Sequence, residues 1–213
     1  MCEIKNILLD FGGVLYDIRY ENIADTFRQY NIDDFEKHYT KARQSSFIDD
    51  FEVGRITVPE FRNSIRSTIE KPLTDEQIDT AWNAILIGMP EHHVELLKSL
   101  NGKYNLYLFS NTNQLNYDLF HHQMIERYGF DIFSTLFKKT YFSFKIGRKK
   151  PAGESFQYVL NDAGINPQET LFIDDSPQHV EGARKIGLNA FHLKDEVDIT
   201  ELFDEDLNLV INR

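Results

Sequence analysis

The stretch Asn6-Ile7-Leu8-Leu9-Asp10-Phe11-Gly12-Gly13-Val14-Leu15 decides the fold. Its first half reads as a short buried strand, and its second half as a carboxylate entering a glycine turn. Four later runs have the same character: Leu106–Phe109, Thr140–Phe142, Leu171–Ile173 and Ala190–Leu193. Between them, Val94, Leu97 and Leu100 follow helical spacing, as do Phe156, Val159 and Leu160. Val180, Ala183 and Ile186 do so again, with Gly187 as a stop signal. Strands alternating with helices imply a parallel sheet covered on both faces. The expected fold is α/β, a Rossmann-like open parallel sheet in three α/β/α layers.

Residues 18–88 break that alternation, offering helix after helix and no convincing strand. Thr74-Asp75-Glu76-Gln77 is a capping box, followed by Ile78, Ala81, Trp82, Ile85 and Leu86 on one face. Thr57-Val58-Pro59-Glu60 opens another helix, carrying Phe61 and Ile65. The expected organisation is a discontinuous core of residues 1–17 and 89–213, with an all-helical insert at 18–88.

The composition narrows the classes of function. The 213 residues carry a net charge of −11, with 41% hydrophobic and 27% charged residues. That is neither disordered nor membrane-like, and no apolar stretch approaches the roughly 20 residues of a membrane span. An acidic chain is also a poor ligand for nucleic-acid backbone. The N-terminus has no basic-then-apolar signal pattern, so a cytoplasmic protein is expected, as monomer or homodimer. Cys2 is the one cysteine and reads as incidental; it excludes a disulfide framework and a cysteine zinc site.

In open parallel sheets, ligands bind at the carboxyl ends of the strands. Asp10, Ser110-Asn111, Lys150-Pro151 and Asp174-Asp175 all follow strands, so one edge collects three carboxylates, a hydroxyl and a lysine. A carboxylate can attack phosphorus. Magnesium wants hard oxygen ligands, which Asp10 and the Asp174–Asp175 pair can supply. Ser110, Asn111 and Lys150 are then the expected contacts for the phosphoryl oxygens.

These four segments, in this order, resemble the haloacid dehalogenase superfamily of phosphohydrolases. The resemblance implies Asp10 as nucleophile, Ser110 and Lys150 as catalytic phosphate contacts, and Asp174-Asp175 as the acidic metal pair. It also implies a backbone-carbonyl metal contact at Gly12, a helical cap at 18–88, and magnesium-dependent hydrolysis of a small phosphorylated metabolite. Within the superfamily, the first motif and Ser110-Asn111-Thr112-Asn113 are similar to those of sugar-1-phosphate phosphatases.

One position departs from the pattern. Such phosphatases usually carry a second Asp two residues after the nucleophile, as general acid and base; here Gly12 stands there. General acid catalysis is worth about 10²–10⁴-fold, so substrates with good leaving groups are expected to be favoured. Two other readings stay open: a binding or regulatory protein weakened in catalysis, suggested by Gly12, and a metal-independent dehalogenase, which the paired acids disfavour.

Outside the motifs, Glu52, Arg55 and the aromatics around Phe51 are candidates to face the site, against the plainer reading of insert surface or core. Adjacent histidines on a helix point different ways, so His92-His93 and His121-His122 are expected in solvent or packing. The 17 Phe and 10 Tyr are expected mainly in packing.

Overall fold

The computed structural model describes residues 3–33, 35, 37, 46–194 and 196–210; Cys2 lies outside the described residues. Seven strands occur among them: β1 (Asn6–Leu9), β2 (Asp17–Ile18), β3 (Leu86–Gly88), β4 (Asn105–Ser110), β5 (Lys139–Phe142), β6 (Thr170–Asp174) and β7 (Asn189–His192). Five form one parallel sheet in the order β5-β4-β1-β6-β7. The opening strand of the chain therefore lies at its centre. Leu8 sits opposite Tyr107 on one side and Phe172 on the other.

Centrality explains why Ile7, Leu8 and Leu9 of β1 are all apolar rather than alternating. Ile7 and Leu9 point into one layer with Leu106, Leu108, Leu171 and Ile173. Leu8 points the other way, with Tyr107, Phe109 and Phe172. The first layer is covered by α5 (Glu91–Leu100), α6 (Gln114–Tyr128) and α7 (Ile132–Leu136), through Val94, Leu97, Phe120, Met124 and Phe133. The second is covered by α9 (Gly153–Ala163) and α10 (Pro177–Lys185), through Phe156, Val159 and Ala183. The short α8 (Ser143–Ile146) follows β5. This is the three-layer α/β fold.

Among the described residues, four helices described over their whole length precede α5: α1 (Glu21–Gln29), α2 (Phe47–Glu52), α3 (Val58–Ile69) and α4 (Asp75–Asn83). They bury a cluster of their own around Phe61, which is fully covered. Phe61 stacks on Phe51 with centroids 4.1 Å apart and meets Trp82 edge-on at 4.7 Å. Both capping boxes form: the Glu60 and Gln77 amides donate to the hydroxyls of Thr57 and Thr74, and the two side chains accept in return.

Two details depart from the expectation. Residues 18–88 are not purely helical, because β2 and β3 pair antiparallel where the chain leaves and re-enters the core, with Asp17 opposite Gly88. The α4 helix ends at Asn83, so Leu86 belongs to this ribbon and not to the helical face. Strands of two and three residues are too short for alternation to register in a sequence. No helix among the described residues is long and apolar enough to cross a membrane.

Replacing Phe61 by Ala removes the ring on which Phe51, Phe47 and Trp82 pack. A loss of about 3–5 kcal/mol is expected for such a buried truncation, read by chemical denaturation with tryptophan fluorescence at Trp82.

Candidate active site

Asp10, Ser110 and Asp174 stand where strands of the sheet run out, whereas Lys150 follows the short helix α8 rather than β5 directly. The Asp10 amide still donates to the Ile173 carbonyl at 2.9 Å, continuing the ladder one step past β1. Its side chain is then fixed on one oxygen: Oδ1 accepts the Phe11 amide at 2.7 Å and lies 2.8 Å from Lys150 Nζ. Ser110 ends β4 and Asp174 ends β6. Asp10, Ser110, Lys150 and Asp174 are all buried.

Lys150 joins the carboxylates. Its ammonium donates to Asp174 Oδ2 at 2.6 Å as well as approaching Asp10, and none of its side chain reaches solvent. The rings of Phe109 and Phe172 lie 5.5 and 5.4 Å from Nζ. Burial disfavours the charged amine, but Asp10 and Asp174 outweigh it and hold the Lys150 pKa above the ordinary lysine value.

The Asn111 side chain holds the same lysine from behind. Its carbonyl accepts the Lys150 amide and its amide donates to the Lys150 carbonyl, both at 2.9 Å. That two-point clamp fixes the backbone from which Lys150 reaches inward and uses one of the two Asn111 amide hydrogens, while Asn111 also lines both openings of the site.

The carboxylates differ sharply. Burial opposes ionisation of Asp174, yet Lys150 and His179 overcome it and hold its carboxyl far below the usual range. Both Asp174 oxygens are engaged: Oδ1 accepts the Ser176 amide at 2.8 Å and meets His179 Nδ1 at 2.9 Å, while Oδ2 faces Lys150. Burial pushes the Asp10 carboxyl well up, and Asp174 beside it pushes further, against Lys150. Asp175 is raised by burial and by Asp174. Three carboxylates thus share one lysine, a local excess of negative charge suited to a cation.

Asp10, Asp174 and His179 offer atoms within 4.8 Å of one another. His179 and Asp174 are bonded to each other, however, whereas Asp175 faces an open cleft together with Asp10 and Gly12. A hard divalent ion fits the oxygen atoms of that cleft.

The two glycines have separate reasons. Gly13 adopts φ +78°, and a Cβ there would lie 2.3 Å from Asp175 Oδ2, so only glycine lets the turn close on that carboxylate. At Gly12, a Cβ would meet Ile18 Cδ1 at 3.3 Å. The β2 side chain fills the space a larger residue would take.

Two openings meet at Gly12. One, of about 440 Å³, is polar and lined by Asp10, Lys150, Asp175 and His179 with Asp49 and Glu52 of α2. The other, of about 110 Å³, runs beneath the helical insert, between Ser110 and Asn116 on one side and Ile23, Trp82 and Leu86 on the other. The buried Trp82 indole N–H at this wall has no hydrogen-bond partner among the described residues. Asn116 links the two sides, accepting from Asn113 at 2.6 Å and donating to Asn83 at 2.9 Å.

The insert is also tied down by charge. Lys149, next to the buried lysine, bonds Asp49 at 2.5 Å and Glu52 at 2.7 Å. Of the three candidates in the insert, Glu52 therefore reaches the site. Phe51 lies in the insert core, and Arg55 is exposed and paired with Asp50.

Comparison with known proteins accords with this geometry. The family model described as haloacid dehalogenase-like hydrolase matches residues 4–187. The chain belongs to the haloacid dehalogenase-like hydrolases. A D-ribitol-5-phosphate phosphatase of Bacteroides thetaiotaomicron is 27% identical over 209 residues, covering 98% of this chain and 99% of that protein. A haloacid dehalogenase family enzyme from the same organism, solved with magnesium and inorganic phosphate, superposes with a TM-score of 0.87 at 35% identity, covering 94% of this chain and 100% of that one. A HAD-like family hydrolase structure from Porphyromonas gingivalis gives 0.83 at 31% identity, covering 94% and 96%.

In this hydrolase, Lys150→Met removes the cation that Asp10 and Asp174 share. Leaving a buried charge unpaired costs about 3–5 kcal/mol. A fall of that size in unfolding free energy is expected in chelator-treated protein, measured by chemical denaturation.

Proposed function

We propose that this hydrolase removes the phosphoryl group from a small phosphorylated sugar or sugar alcohol, with magnesium and through an aspartyl-phosphate on Asp10. The observation that carries this reading is the state of the Asp10 carboxylate. One oxygen is pinned by the Phe11 amide and Lys150, and the other is left to attack at the mouth of the cleft. The relatives support it: one is named a phosphatase of a five-carbon sugar-alcohol phosphate, and another holds magnesium and phosphate.

Asp10, the Gly12 carbonyl and Asp175 would hold the ion, with Asp174 assigned to positioning Lys150 because its own oxygens are taken. When bound, the ion offsets the charge shared by attacking carboxylate and phosphate dianion. The free Asp10 oxygen forms a bond to phosphorus as the bond to the leaving oxygen breaks, and that oxygen takes up a proton. Water then attacks the same phosphorus, freeing inorganic phosphate and restoring the carboxylate. Ser110 and Lys150 contact the phosphoryl oxygens, and the leaving group extends under the insert towards Trp82 and Asn116.

On this reading, residues 18–88 are a cap over a core of 1–17 and 89–213, held shut by Lys149 on Asp49 and Glu52. The proposed residues all come from one chain, so a monomer or a homodimer serves equally. The net charge of −11 and the small cleft beside Asp10 fit a small metabolite rather than nucleic acid or membrane.

Asp10→Asn, or chelation of the wild type, is expected to abolish phosphate release from D-ribitol 5-phosphate and sugar phosphates. Turnover persisting in either case contradicts the mechanism. Because Gly12 offers no acid, rates on a series of aryl phosphates should fall steeply as the leaving group becomes more basic. Gly12→Asp should flatten that dependence, and more fully together with Ile18→Ala, which clears the space beside residue 12.

A further inference from the structure

His92 and His93 open helix α5, and as neighbours on a helix they are expected to diverge. The structure brings them together. His92 Nε2 lies 2.9 Å and His93 Nε2 3.1 Å from the same atom, Asp198 Oδ2. Their rings meet edge-on, with centroids 4.4 Å apart at 67°. The expectation fails because the doublet occupies the first turn, where a residue beyond β7 reaches both rings. The other doublet does divide, His121 going to Asp131 and His122 to Glu126.

Each partner is oriented from behind. His93 is buried, and its Nδ1 lies 2.9 Å from the Leu15 carbonyl. A carbonyl only accepts, so Nδ1 carries the hydrogen, and in the neutral ring Nε2 presents a lone pair. Asp198 Oδ1 accepts both the amide and the hydroxyl of Thr200, at 2.9 and 2.6 Å. Its Oδ2 is thereby turned to the imidazoles. An imidazole lone pair and a carboxylate oxygen 3.1 Å apart repel each other unless a positive centre joins them, either a second ring proton or a metal ion.

The spacing suits the metal. All three ligand atoms lie within 4.8 Å of one another. A tetrahedral ion with bonds of roughly 2.0–2.1 Å separates its ligands by about 3.3 Å, within a few tenths of the two distances above. Backbone and side-chain partners behind the ligands are what fix tautomer and orientation at metal-binding histidines. His92 is more than half exposed, at 57%, which leaves a side open for entry and for a water ligand.

We propose that His92, His93 and Asp198 form a second metal site, for a divalent transition ion of the zinc class. Two imidazoles and one carboxylate favour zinc, cobalt or nickel over magnesium, so the site is chemically distinct from the Asp10 centre and shares no residue with it. Its effect is that of a staple. It ties the first turn of α5 to Leu15, in the turn after β1, and to the segment following β7. An ion bound only by the folded chain raises stability by mass action.

The test uses the full chain, freed of metal and kept in saturating magnesium so that the Asp10 centre is filled. Cobalt(II) is titrated by visible absorption and then displaced with zinc, and thermal unfolding is followed with and without zinc. The wild type should bind one equivalent with the absorption of a tetrahedral ion, and zinc should raise its unfolding midpoint. His92→Gln, at an exposed position, should lower the affinity at least about tenfold and abolish the zinc-induced rise, while circular dichroism confirms its fold. Equal affinity in wild type and His92→Gln would place the ion elsewhere and overturn the proposal. So would the absence of cobalt and zinc binding in the wild type, which would mean that protons alone hold the cluster.

Discussion

Everything at the sheet edge is arranged around one buried ammonium, Lys150 Nζ, held between Asp10 and Asp174. A lysine with no exposed side chain is costly unless its charge is matched at short range. Here the match comes from the ends of two adjacent strands, β1 and β6, and the approach is fixed from behind by the Asn111 clamp. Removing Lys150 leaves two buried carboxylates without the cation they share. The requirement ties the active-site geometry to the stability of the core itself.

The second constraint is the turn after β1. Gly13 lets the chain fold back against Asp175, and Gly12 makes room for Ile18. The β2–β3 ribbon that carries Ile18 is also the stem of the helical insert, so the shape of the nucleophile turn and the seat of the insert are coupled. With a net charge of −11 overall and three carboxylates sharing one lysine, an anionic substrate needs a local cation. Oxygen donors facing the cleft beside Asp10 give that cation a place.

Much of this was legible in the sequence because it depends on local patterns. The strands read as short apolar runs ending in polar residues, and Asp10, Ser110 and Asp174 fall at their ends. Lys150 came from the resemblance of the four segments to a known family. The roles assigned by tertiary pairing were not legible. Asn111 is bound to a backbone 39 residues away, and the partners of Lys149 lie in the insert, 97 and 100 residues distant. His179 lies one turn into the helix after Asp174, a position with no motif of its own. His92 is exposed and His93 buried, as expected, but their convergence on Asp198 was not legible, because helical geometry alone says nothing of what packs against the helix.

The account rests on Asp10 carrying the phosphoryl group. The most direct measurement is an acid-quenched single turnover of the wild-type protein with magnesium and a hydrolysed sugar or sugar-alcohol phosphate, followed by peptide mass spectrometry. The account predicts one phosphoryl group on Asp10, appearing before inorganic phosphate and decaying as phosphate is released. Phosphate release with Asp10 unmodified at every quench time, or a phosphoryl group on another residue, would contradict it.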